Sequence, residues 1–171
     1  MKHHFALIAP LAKGYSLLEV LISVVILSVG LLGLAGLQAT GLRNNHSAYL
    51  RSQATLLAYD IVDRMRANRT VALSGNYNLA LDATPVTPAK DCTATNCAAD
   101  ELATYDVNDW IQNLTIALPA GDGGISQPVV ASPSVITVTV QWDETWARKE
   151  NVENDDGNDP ITKQFSMSTE L

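Results

Sequence analysis

The chain has 171 residues, 47% of them apolar, with 11 Lys and Arg against 18 Asp and Glu and a formal net charge of −7. That length has room for one domain. The acidic balance argues against general nucleic-acid binding, because a phosphate footprint needs clustered Lys and Arg, so nucleic acid is an unlikely partner.

The first stretch carrying information is Lys13 to Leu37, KGYSLLEVLISVVILSVGLLGLAGL. Its 23 residues from Tyr15 to Leu37 contain a single charged side chain, Glu19. A helix of that length crosses a bilayer core at about 1.5 Å per residue. A carboxylate at the centre of a bilayer costs roughly 2.5 to 3.5 kcal/mol on insertion scales, so Glu19 calls for a partner. Lys2 and Lys13 precede the span without a compensating acid, and the positive-inside rule then keeps the amino end cytoplasmic and sends the carboxyl end outward. A cleaved secretory signal peptide is the rival reading of such a stretch. The order opposes it, because the basic residue and the glycine come before the apolar run instead of after it. His3 and His4 are too few for a metal tract.

Gly14, Tyr15, Ser16, Leu17, Leu18, Glu19, Val20 and Leu21 resemble the processing site of class III signal peptides, the prepilin signal. The resemblance implies that a prepilin peptidase cuts between Gly14 and Tyr15 and methylates the new amino terminus at Tyr15, where the family usually has phenylalanine. Loss of the leader, residues 1–14, removes Lys2 and Lys13 and takes the net charge from −7 to −9. Continued through SVVILSVGLLGLAGLQATGLRNN, the chain is similar to minor pilins of the PilV type, the type IV pilus modification proteins. The likeness is dense over the first third and in outline beyond it. It implies a low-abundance subunit that primes pilus assembly or sits at the tip, in support of adhesion or motility. The partners implied are other minor and major pilins, the prepilin peptidase, an inner-membrane assembly platform, and membrane lipid before assembly. The location implied is a single pass through the inner membrane of a Gram-negative cell with a periplasmic carboxyl-terminal domain, then the fibre at the cell surface. Glu19 would there neutralise the amino-terminal ammonium of a neighbouring subunit.

Within the span, Gly30, Gly33 and Gly36 recur every three residues. Small residues let membrane helices approach closely, and each glycine weakens a helix by about 1 kcal/mol relative to alanine. Major pilins commonly carry a proline in this part of the segment, where this chain has Gly36. Past the span, over residues 38–69, Leu50, Ala54, Leu57, Ile61 and Met65 follow at spacings of four, three, four and four, which paints one face of a helix. No proline occurs from Leu11 to Thr84, so a single helix from Tyr15 to about Asn68 is expected, on the order of 80 Å long. Arg64, Arg66 and Arg69 suit its carboxyl end, where cations complement the macrodipole; an anionic partner is the other use for them.

Residues 70–171 read as a globular α+β head. Ser74 to Asp91 is an irregular connection, with Pro85 and Pro88 around Val86 and Thr87. Cys92 and Cys97 are the only cysteines, and in a periplasmic segment this pair closes a short disulfide loop. Metal binding would need two further ligands nearby, and the spacing is not that of a CxxC redox pair. Asp106 is expected to open a helix over about 106–118, with Asp109 in its first turn and Trp110 and Leu114 on its apolar face. Gly121 to Gly124 is expected to turn. Val135 to Trp142, VITVTVQW, is the strongest strand pattern in the chain, and a last strand is expected over about 164–168. The polar stretch Asn151 to Pro160 between them suits a hairpin connection; its residue order does not fit an EF-hand calcium loop. DVNDWIQNL, LPAGDGGI, WDETW and FSMSTEL each resemble the corresponding parts of PilV-type proteins.

No catalytic constellation, metal cluster or phosphate-cradling loop is legible, so neither an enzyme nor a cofactor is expected. His46 stands on the long helix without a Ser, Cys or acid at a recognisable spacing. The fold class expected is α+β and pilin-like: a long amino-terminal helix, its first half membrane-spanning, packed against a small carboxyl-terminal antiparallel sheet. Two further functions share these features. One is a pseudopilin of a type II secretion system, and the other is a membrane-anchored binding module whose helix is only a tether.

Overall fold

The computed structural model describes residues 14–127, 135–145 and 161–171. Helix α1 runs from Leu17 to Ala67, 51 residues without a break, and is followed by a single turn of helix, α2, at Arg69–Leu73. Helix α3 spans Ala99–Ala117. Three strands, β1 (Asp122–Ser126), β2 (Val135–Asp143) and β3 (Thr162–Glu170), form an antiparallel sheet in the order β1-β2-β3. The α+β, pilin-like architecture expected from the sequence is therefore present. Two units divide the chain, the first ending at Leu42 and the second beginning at Arg43.

The described part of the first unit is the amino-terminal half of α1. Its large apolar side chains are exposed throughout, from Leu17 to Leu42. By length and composition α1 is the one described helix able to cross a membrane, and none of its apolar window is buried within the chain. The hydroxyls of Ser23, Ser28 and Thr40 donate to the carbonyl oxygens of Glu19, Val24 and Gly36 at 2.7, 2.6 and 3.1 Å. These bonds satisfy polar groups inside the helix, as a segment without access to water requires.

The second unit has its own core. From α1 it buries Leu50, Ala54, Ala58, Ile61, Val62 and Met65, the face that the helical spacing marked out, while Leu57 is partly buried against it. Two alanines on that face keep the helix close to what covers it. From α3 come Ala103, Val107, Trp110 and Leu114, and from β2 come Ile136, Val138, Val140 and Trp142, every second residue of the strand. On the other face of the sheet, uncharged pairs meet across β2 and β3: Thr137 with Ser168, Thr139 with Ser166 and Gln141 with Gln164.

Three expectations change. Helix α3 starts at Ala99, seven residues before Asp106; the Glu101 carboxylate accepts the Ala98 N–H at 2.9 Å and closes its first turn. Asp106 lies in mid-helix and is buried. Gly121 to Gly124 does not form the turn. Ala120, with a φ of 45°, lies just before it, and Gly123 and Gly124 are inside β1, whose outer edge pairs with Leu79 through reciprocal bonds of 2.9 and 2.8 Å. Strand β3 extends two residues beyond each end of the 164–168 expected. The Asn151 to Pro160 connection, with its turn and calcium readings, lies outside the described residues.

Candidate functional site

The amino-terminal site is built on the start of α1. Gly14 is exposed and precedes the helix, and Tyr15 is 83% exposed. The Ser16 carbonyl accepts the N–H groups of Glu19 and Val20 at 3.0 and 3.2 Å, which starts the helix. Glu19 falls in the first turn, where a negative charge complements the helix dipole. Tyr15, Glu19, Ser23, Val24 and Leu27 border one shallow groove, so Tyr15 and the Glu19 carboxylate share a side of the helix. Built Cβ atoms at Gly30, Gly33 and Gly36 would meet nothing within 4 Å. Among the described residues nothing fills the space these glycines leave.

Cys92 and Cys97 form a disulfide with Cα atoms 5.5 Å apart, in the irregular connection that precedes α3. Arg64 does not stand free at a helix end. Its guanidinium reaches Asp60 at 3.0 Å, Asp109 at 2.8 Å and Asp106 at 3.5 Å. The anionic partner considered for this arginine is thus the chain's own α3. Burial lowers the Arg64 pKa, but the hydrogen bond to Asp109 and the charges of the three carboxylates outweigh it and hold it above its ordinary value. The Asp106 pKa is likewise raised, which for an acid disfavours the charged form. Burial raises it, against the Tyr77 hydrogen bond and the Arg64 charge that lower it. The Tyr77 hydroxyl donates to Asp106 at 2.7 Å and accepts from Asn68 at 3.3 Å, and burial together with the carboxylate raises the phenol well above its usual range. This network ties the end of α1 to α3.

Sequence reading missed a second buried carboxylate. Glu144, 3% exposed, follows β2 and accepts hydrogen bonds from Ser47 of α1 and from the Trp142 indole. Residues 47 and 144 are remote in sequence, and no local pattern announces their meeting. Among the described residues no group of His, Cys, Asp and Glu is arranged to hold a metal.

Two family models match. The prokaryotic N-terminal methylation motif covers residues 11–35, which include Gly14, Tyr15 and Glu19, and the model described as type IV pilin Tt1218 covers residues 36–108. Comparison with curated proteins and with solved structures gives no match. The methylation motif, the apolar α1 and the type IV pilin pattern that begins on it support a pilin with a class III signal peptide.

Proposed function

We propose that the chain is a minor pilin of the PilV type, a structural subunit that primes or caps a type IV pilus. The observation carrying this reading is the exposed first half of α1, uncharged except at Glu19, most of which lies within the methylation-motif match. Such a helix has two environments that suit it, a bilayer and the core of a fibre. In the first the chain waits as a single-pass inner-membrane protein with its folded domain in the periplasm. In the second the glycines at 30, 33 and 36 admit neighbouring pilin helices. Prepilin peptidase cleaves between Gly14 and Tyr15 and leaves a methylated ammonium on Tyr15. Glu19 pairs with that ammonium on an adjacent subunit, which offsets the cost of burying each charge and fixes the axial register.

Replacing Glu19 with Ala is expected to leave membrane insertion intact and to abolish recovery of the subunit in sheared fibres. Recovery equal to wild type refutes the pairing role. The mature amino terminus, read by mass spectrometry, is expected to be N-methylated Tyr15. Co-purification with pilus subunits is expected; co-purification with a type II secretion system would reassign the chain as a pseudopilin.

A further inference from the structure

A groove of about 420 Å³ lies in the second unit between α1 and the ends of β2 and β3, bordered by Asn44, Ser47, Arg51, Glu144, Lys163 and Gln164, with Trp142 at its base. Its volume falls within the roughly 300 to 1,000 Å³ of small-molecule sites. The Glu144 carboxylate borders it while remaining 97% buried, since its exposure is 3%. Its Oε1 accepts from the Trp142 indole N–H at 2.9 Å and from the Ser47 hydroxyl at 2.9 Å. Its Oε2 has only the other branch of that same hydroxyl, at 3.0 Å. One hydroxyl proton is thus shared by two oxygens, and among the described residues no cation forms an ion pair with Glu144. A buried carboxylate in this state lacks a charged donor.

Two cations border the same groove, Arg51 and Lys163, and neither forms an ion pair among the described residues. They do not pair with Glu144 across the groove. The groove therefore offers, at its buried side, a carboxylate with only neutral donors among the described residues, and elsewhere on its wall two cations without an ion pair among those residues and two amide side chains. A metal ion would satisfy the first part only, and among the described residues no group of three His, Cys, Asp or Glu is arranged to hold one. A simple anion would satisfy the second part only and would sit beside the carboxylate.

We propose that this groove binds a phosphoethanolamine group, with the ammonium on Glu144 and the phosphate held by Arg51 and Lys163. The two-carbon ester arm separates the ligand's ammonium from its phosphate further than an α-amino acid separates its two charges. Charge-assisted hydrogen bonds at each end supply the affinity. The group has two sources, a phosphatidylethanolamine headgroup or a soluble phosphoethanolamine. This site does not depend on the pilin reading, and its test leaves Glu19 untouched.

The indole N–H resonance of Trp142, assigned by its loss in Trp142→Phe, reports on the groove in the full chain held in detergent micelles. Titration with phosphoethanolamine is expected to give a saturable shift. Inorganic phosphate or ethanolamine alone is expected to bind at least about tenfold more weakly, since each forfeits charged hydrogen bonds at one end. Lys163→Gln, on the exposed strand end, is expected to weaken phosphoethanolamine binding by a similar factor. Glu144→Gln is expected to remove the preference over phosphate. In nanodiscs, a shift with phosphatidylethanolamine but not phosphatidylglycerol assigns the ligand to the bilayer, and a shift only with the soluble compound assigns it to solution. Absence of a saturable shift with either form, phosphate binding as tightly as phosphoethanolamine, or no effect of Lys163→Gln would each overturn the proposal.

Discussion

Gly123→Ala tests the packing that joins the helices to the sheet. A Cβ built at Gly123 would stand 2.4 Å from Cη2 and 2.8 Å from Cζ3 of Trp110, and 2.7 Å from Cδ1 of Leu114. Carbon atoms pack at about 3.5 to 4.0 Å, so each contact falls short by roughly 1 Å or more. Trp110 is fully buried, and its indole N–H donates to the Leu57 carbonyl of α1 at 2.9 Å, so the ring cannot swing clear without giving up that bond. Overpacking costs about 1 to 3 kcal/mol, and a lost hydrogen bond adds about 1 kcal/mol. A destabilisation of about 2 to 4 kcal/mol is therefore expected for Gly123→Ala, measured by urea unfolding of the full chain in detergent with tryptophan fluorescence as the signal. Trp110→Phe removes the atoms nearest the new methyl, so the double variant is expected to be more stable than the two single costs summed, a coupling that a double-mutant cycle reads directly. A Gly123→Ala protein within about 0.5 kcal/mol of wild type, the range of an inert surface change, would refute the close approach of Trp110 to β1.

Two further outcomes follow from the same domain. Because the Tyr77 phenol is raised by burial and by Asp106, the folded state binds its proton more tightly than the unfolded state. Stability from this group is complete below the ordinary tyrosine value of about 10 and is lost as pH rises through the higher folded value. Of the five tyrosines, one is expected to stay protonated in an alkaline absorbance titration until the domain unfolds, and Tyr77→Phe removes that late component; a full complement of phenols ionising near pH 10 in the folded protein contradicts the network. Closing the short Cys92–Cys97 loop is worth about 2 kcal/mol by chain entropy, and Cys92→Ser with Cys97→Ser is expected to lower the unfolding free energy by no more than that while leaving the fold's circular dichroism unchanged.

The elements written in side-chain periodicity were legible before any coordinates. The 3.6-residue spacing of Leu50, Ala54, Ile61 and Met65 and the alternation of VITVTVQW each describe a buried face, and both faces are buried. The errors occurred where a residue type serves a purpose other than its commonest one. Asp106 resembles a helix start, but its carboxylate is spent inside α3 on Tyr77 and Arg64. The glycines of GDGGI resemble a turn, but Gly123 is small so that an indole can lie across a strand. Helix α3 begins beside Ala98, which has no side-chain oxygen with which to announce a cap. At the site, Gly14, Tyr15 and Glu19 are contiguous and could be read as a motif, and the methylation-motif match covers them. The Ser47–Glu144 contact joins positions 97 apart, a separation at which a single sequence carries no local signature.

The sheet order repeats the chain order, with β1, β2 and β3 as successive neighbours. A chain made amino end first emerges in that same sequence: the helix, then α3 to cover it, then each strand beside the one already in place. No strand has to be inserted between two others after the fact, so the long-range search that slows many β proteins is avoided. The edge left open at each moment is the one the next segment of chain closes, which shortens the time during which a half-made molecule could pair with the wrong partner.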